Sequence, residues 1–283
     1  MAEFEAVTEE EFSRLCEFLY RRTGMSFTET KRYYVERRVQ DRMKAIGALS
    51  FASYFARLRG DLDGEIEQFI NAFTVNETYF YREDNQLTCL TTDLLARRTA
   101  VKPRSESVRI WSIPCSTGEE PYSIAMWLLE NWPQVDAWDI EIVGSDIDTR
   151  VLEAAREGLY GRRALMRLTP ELIERYFEPV GEERWRILGD LRDSVRFSAA
   201  NVMEPAQTGA HGRFDVIFCR NMLIYFDDAS RRLAAENLYE SLAPGGYICL
   251  GHTESMSRIS PLFEACRFAD AIVYQRPLER SRG

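Results

Sequence analysis

The stretch Val108–Ile124, VRIWSIPCSTGEEPYSI, decides the fold. Its first half, VRIWSI, is a β-branched and aromatic run and reads as a buried strand. Pro114 to Gly118 follow as a small-residue turn. Glu119, Glu120 and Pro121 then open a helix, because proline suits the first helical turn and acids suit its positive end. Strand, glycine turn and helix make the first unit of a doubly wound α/β sheet. The ligand of such a sheet sits beyond the carboxyl ends of its strands.

The turn lacks the G-x-G-x-x-G pattern that lets backbone approach a pyrophosphate. It has one glycine, and two carboxylates stand where phosphates would lie. Like charges there repel a phosphate ligand. The turn therefore suits a nucleoside that carries positive rather than negative charge, and S-adenosylmethionine is one. The plainer alternative for each glutamate is to complement the helix dipole.

The 283 residues suffice for one large domain or two modest ones. Hydrophobic residues make up 45% of the chain, enough for a true core. A net charge of −9 weighs against generic binding to nucleic acid or anionic lipid. No apolar run approaches the roughly 20 residues of a membrane span, and the acidic start MAEFEAVTEEEF is unlike a signal peptide. The expected location is the cytoplasm. The six cysteines are dispersed without a C-x-x-C, which suits reduced core thiols. Two histidines exclude a histidine-rich metal site.

Residues 1–75 read as a small all-helical domain. Thr8 and Glu11 make a capping box, and Gly47 ends a second helix over Thr28–Ile46. That helix carries Lys31, Arg32, Arg37, Arg38, Arg42 and Lys44. From the residues alone, it reads first as a solvated face with i,i+4 pairs such as Arg32 with Glu36, and second as a docking face for an acidic partner. Residues 76–100 read as a linker and helix over the ligand cleft. They begin with NETYFYRE, in which Asn76, Thr78 and Arg82 alternate with aromatics.

Residues 101–283 carry the mostly parallel sheet. Ile140–Asp148 is a second strand ending in acids. Asp146 stands where the second strand of a nucleotide fold offers a carboxylate to ribose hydroxyls, and Asp148 caps the next helix. Residues 160–195 break the alternation with short strands and a polar turn, a small antiparallel β insertion. Phe214–Cys219 is a strong buried strand, Pro244-Gly-Gly a turn, and Glu264–Gln275 a closing strand or strand pair. Glu119, Glu120, Asp146, Asn201, Arg220, Asn221 and Tyr225 all fall at strand ends, so they converge on one cleft. His252 and Glu254 belong at its far edge, with His252 a strand-end cap in preference to a general base.

With those residues in view, the chain resembles the CheR family, S-adenosylmethionine-dependent glutamate O-methyltransferases of chemotaxis receptors. The motifs are NETYFYR at 76–82, CSTGEEPYSIAM at 115–126, SDID at 145–148, FDVIFCRNMLIYF at 214–226 and GHTES at 251–255. The resemblance implies a class I methyltransferase-like fold. It implies a cofactor site of Asn76, Thr78, Arg82, Glu120, Asp146, Asn201, Val202, Arg220 and Asn221. It puts Arg82 and Tyr225 nearest the methyl transfer. It also implies that the basic helix, through Lys31, Arg32, Arg37, Arg38 and Arg42, meets the helical methylation region of a receptor. Members whose insertion holds a receptor's C-terminal pentapeptide are longer at the turn that here reads PVGEER, so tail binding does not carry over. The acidic balance and the lack of an N-P-P-Y-type motif weigh against a nucleic-acid substrate, and intact Arg82, Asp146 and Tyr225 weigh against a non-catalytic binding protein.

Overall fold

The computed structural model describes residues 7–269 and 271–278; residues 1–6 of the acidic start and the closing residues 279–283 lie outside them. Four helices come first: α1 (Glu9–Thr23), α2 (Arg32–Ile46), α3 (Phe51–Arg59) and α4 (Glu65–Phe73). The Thr8–Glu11 capping box forms as the sequence implies. The expected helix from Thr28 instead begins as a 3-10 turn, Glu29–Lys31, because Lys31 departs from helical angles before α2 starts. The strap 76–83 leads to α5 (Asp84–Cys89), a π turn (Leu90–Leu94) and α6 (Leu95–Thr99).

Then β1 (Val108–Ser112), α7 (Glu119–Asn131), β2 (Ile140–Asp146) and α8 (Thr149–Glu157) alternate. The insertion follows: β3 (Leu159–Gly161), α9 (Pro170–Tyr176), β4 (Phe177–Pro179), β5 (Arg184–Ile187) and α10 (Gly189–Asp193). Its three strands form a separate antiparallel sheet in the order β3-β5-β4. Alternation resumes with β6 (Val195–Ala199), α11 (Pro205–Gly209), β7 (Phe214–Cys219), α12 (Asp228–Glu240), β8 (Leu242–Leu250), β9 (Glu264–Arg267) and β10 (Ile272–Gln275).

The main sheet runs β6-β2-β1-β7-β8-β10-β9. The first five are parallel, and β10 and β9 close it as an antiparallel pair. Successive strand residues face opposite sides. Ile110, Ile142, Val216 and Phe218 enter the core under α5, α6 and α7. Trp111, Val143, Ile217 and Cys219 enter the other core, which continues into Leu15, Leu19, Val39 and Phe69 of the N-terminal helices. The helical domain thus packs as part of one face of the sheet. The Pro244-Gly-Gly turn is instead a bulge within β8: register jumps from Phe214–Leu242 to Val216–Tyr247, and a Cβ on Gly246 would meet three carbonyl oxygens within 3.1 Å.

The basic helix forms the expected Arg32–Glu36 pair and adds contacts that its sequence does not display. Arg42 donates to Glu65 Oε1 at 3.0 Å and Oε2 at 2.6 Å, and Glu65 is buried with the Tyr54 hydroxyl also on it. Arg38 donates to the Ala72 carbonyl and lies over the Tyr34 ring. Arg32 binds Glu29, Glu36 and the Val7 carbonyl. Three of the five cations assigned to docking therefore hold the domain together, while Lys31 and Arg37 are exposed. Removing Arg42 strands a buried carboxylate, which costs about 3–5 kcal/mol. Arg42→Ala should lower the unfolding free energy by that order in chemical denaturation. Arg37→Ala should stay within about 0.5 kcal/mol of the parent.

Candidate active site

Two adjoining cavities open beyond the carboxyl ends of β1, β2, β6 and β7. They share Val75, Asn76, Pro114, Ser116, Asn221 and Tyr225 and form one cleft. The first also takes in Thr78, Arg82, Glu120 and Arg220; the second takes in Asp146, Asn201 and Val202. All ten residues that the family resemblance assigns to the site thus line the same cleft, while Glu119, also expected there, does not. Thr23 and Met25, from the end of α1, line it as well. No local motif marks those two; they arrive by the packing of the helical domain.

The turn after β1 is shaped by close packing. Gly118 has φ of 94°, and a Cβ there would lie 2.9 Å from Ala155 and 3.1 Å from the Tyr160 hydroxyl. Only glycine fits. Glu119 and Glu120 take different paths from this turn. Glu119 is buried and accepts from the Thr117 hydroxyl at 2.7 Å. Glu120 faces the cleft, accepting from Ser112 Oγ at 2.7 Å and Arg220 Nη1 at 2.9 Å. Arg220, buried at the end of β7, also donates from Nη2 to the Arg82 carbonyl at 2.6 Å and reaches Glu83 at 3.3 Å. The opposite face of Glu83 meets His252 Nδ1 at 3.0 Å. His252 is therefore neither strand cap nor cleft base: its side chain is 72% exposed and holds Glu83 from outside.

Asp146 accepts the amides of Ser116 and Asp148, both at 2.9 Å. Burial raises its carboxyl to about 6 against the pull of those amides. The Ser116 amide, which a phosphate would need, is thus engaged by a carboxylate. Asp148 caps α8 through the Arg150 amide, as the sequence implies. It also receives Asn76 Nδ2 at 3.1 Å, so Asn76 fastens the strap to the end of β2. Asn201 uses its side chain on the Arg22 carbonyl and the Met203 amide, and wedges α1 against the cleft wall. Arg82 donates to the Glu77 carbonyl at 2.9 Å. Tyr225 is 39% exposed at the mouth, and burial raises its phenol above the ordinary value.

Of six non-glycine residues with positive φ among the described residues, Tyr81, Glu83, Ser116 and Asn221 belong to the cleft or its strap. Such conformations persist where surrounding contacts over-determine them, and they gather at functional sites.

The CheR methyltransferase, SAM binding domain matches residues 76–272, and the CheR methyltransferase, all-alpha domain matches residues 10–74. The chain belongs to the CheR methyltransferase family. Chemotaxis protein methyltransferase 2 of Vibrio cholerae is 45% identical over 272 residues, 96% of this chain and 94% of that protein. Chemotaxis protein methyltransferase 2 of Pseudomonas aeruginosa is 39% identical, covering 90% of each chain. The Escherichia coli chemotaxis protein methyltransferase is 36% identical, covering 93% of this chain and 90% of its own. The CheR fold and the S-adenosylmethionine-binding domain make this chain an S-adenosylmethionine-dependent methyltransferase. Among the described residues no helix is long and apolar enough to cross a membrane, and no group of three or more potential ligands is placed to hold a metal ion.

The CheR turn also sets a pH dependence. Burial lifts Glu119 from 4.5 to about 7, while Thr117 and a backbone amide oppose it. Between those values the folded protein keeps a proton that the unfolded chain has lost. Stability therefore falls as pH rises through that range. Urea unfolding should show this decline between about pH 5 and 8 in the parent and a flatter profile in Glu119→Gln. Identical slopes would mean that Glu119 titrates normally.

Proposed function

We propose that this chain transfers the methyl group of S-adenosylmethionine to glutamate side-chain carboxylates of chemotaxis receptors, forming methyl esters. The observation that carries this reading is the convergence of the ten expected site residues on one cleft whose open mouth borders the helical domain. The chemotaxis methyltransferases above, which match nearly the whole chain, support the receptor as substrate.

The donor set fits the cofactor. The Ser116 amide is held by Asp146, which withdraws that donor of the glycine turn from a phosphate. Asp146 presents a carboxylate suited to ribose hydroxyls. Glu120, half-compensated by Arg220, is suited to an ammonium or sulfonium. Val202 lies along the apolar wall, and Asn76, Thr78, Asn201 and Asn221 complete the lining. Bound S-adenosylmethionine supplies a methyl group already activated by its sulfonium.

The acceptor needs no general base. A glutamate carboxyl has a reference pKa of about 4.3 and is a carboxylate at neutral pH. The protein's task is to align it and exclude water, which can contribute roughly 7–11 kcal/mol. Tyr225, whose phenol is protonated at neutral pH, can donate to the non-attacking oxygen. Arg82, lining the same cavity, can do likewise with its guanidinium.

An aromatic hollow of Met25, Phe27, Tyr34 and Phe73 adjoins Tyr225 and Ile224 at the mouth, with Lys31 on its rim. An acidic, helical receptor segment suits that hollow. Of the five cations assigned to docking, Lys31 and Arg37 are exposed, whereas Arg32, Arg38 and Arg42 serve internal contacts.

Incubation with receptor membranes and methyl-labelled cofactor should give protein label released as methanol in mild base; base-stable label would contradict ester formation. Tyr225→Phe should slow single-turnover methyl transfer by roughly tenfold or more. Its calorimetric affinity for S-adenosylhomocysteine should stay near the parent value. Equal loss in both would remove Tyr225 from acceptor positioning.

A further inference from the structure

The motif Gly251–Ser255 has no part in the reaction described so far. It follows β8, whose Leu250 pairs with Cys219 at the end of β7. There the ladder stops and the two chains part. Glu254 bridges them: its Oε2 accepts the Gly251 amide at 2.9 Å and the Asn221 amide at 2.8 Å. One carboxylate oxygen thus joins the backbone beyond β8 to the backbone beyond β7. Burial raises the Glu254 carboxyl above its ordinary value, opposed by backbone amides that include those of Leu223 and Ile224 at the start of the 3-10 turn Leu223–Tyr225.

The clamp is packed tightly at Gly251. A Cβ on Gly251 would lie 2.7 Å from Asn221 Nδ2 and 2.9 Å from Glu254 Oε2. Asn221 sits at φ of 59°, a left-handed conformation that neighbouring contacts must hold. On its other side the turn is tied to the helical domain, where the Ser26 amide donates to the Tyr225 carbonyl at 3.3 Å and Met25 bridges Phe226. Tyr225 therefore hangs between two anchors, and Glu254 is the one on the sheet side.

We propose that Glu254 is a positioning residue for methyl transfer: it holds Asn221 and the Leu223–Tyr225 turn so that the Tyr225 hydroxyl meets the acceptor carboxylate. This rests on the reading of Tyr225 given above. Glu254 acts through the backbone and need not touch either substrate. A glutamine here keeps the volume but gives up the charge and leaves one accepting oxygen in place of two. Small displacements of a positioned group can cost up to roughly a hundredfold in rate.

The test is a double-mutant cycle on single-turnover methyl transfer to receptor membranes at saturating cofactor. Glu254→Gln should slow transfer by roughly tenfold or more. In a Tyr225→Phe background the same change should cost little, because the hydroxyl it positions is gone. Gly251→Ala, which forces Asn221 and Glu254 apart, should follow the same pattern and carries the cycle should Glu254→Gln fail to fold. A purely structural role would lower the melting temperature and multiply with Tyr225→Phe; that outcome, or an unchanged rate in Glu254→Gln, overturns the proposal. If Tyr225→Phe alone transfers at the parent rate, the acceptor role of Tyr225 falls, and this proposal with it. The single variant separates that failure from a failure of the clamp.

Discussion

Two separate pieces of chain, α7 and the strap, meet on the guanidinium of Arg220, whose side chain is 5% exposed at the end of β7. Glu120 comes from the first turn of α7; Glu83 and the Arg82 carbonyl come from the strap. A buried charge costs several kcal/mol unless it is paired and hydrogen-bonded. The arginine therefore fixes where the strap crosses the cleft. It also changes what Glu120 is: a carboxylate shared with a cation, no longer a bare acid at a helix end. Asp146 is settled another way, by two backbone amides. The cleft consequently combines a compensated acid, a buried acid and a glycine turn whose Ser116 amide is already engaged.

The strap is held from the insertion as well. Phe80 is fully buried, edge-on to Tyr160 and Phe177 with centroids 4.8 and 5.2 Å away. Its amide donates to the Ala164 carbonyl, and Arg163 pairs with Glu77. The small antiparallel sheet thus supports the segment that carries Asn76, Thr78 and Arg82. The helical domain supports the opposite wall through Thr23, Met25 and the contact of Asn201 with Arg22. Both additions to the basic sheet are structural members of the cleft.

Much of this was legible in the sequence because it is local. The β1-turn-α7 unit, the acids at the end of β2, the Asp148 cap and the Thr8–Glu11 box are each written in a few adjacent residues. What escaped depends on distant partners. Arg42 looks like a surface cation until Glu65, 23 positions on, is seen buried against it. His252 looks like the end of a strand, yet its partner is Glu83, 169 positions away. Pro244-Gly-Gly has the composition of a turn, but the close carbonyls around Gly246 fold it into a bulge of β8. The two glutamates of the glycine turn were indistinguishable by type; burial against Thr117 and pairing with Arg220 separate them.

The central claim is that the forked hydrogen bonding of Arg220 organises the cofactor cleft. Arg220→Lys retains the charge and gives up the fork. Calorimetric titration with S-adenosylhomocysteine is the most direct test. The account predicts an affinity roughly tenfold or more weaker, with the thermal transition still cooperative. Parent affinity in a folded Arg220→Lys protein would contradict it.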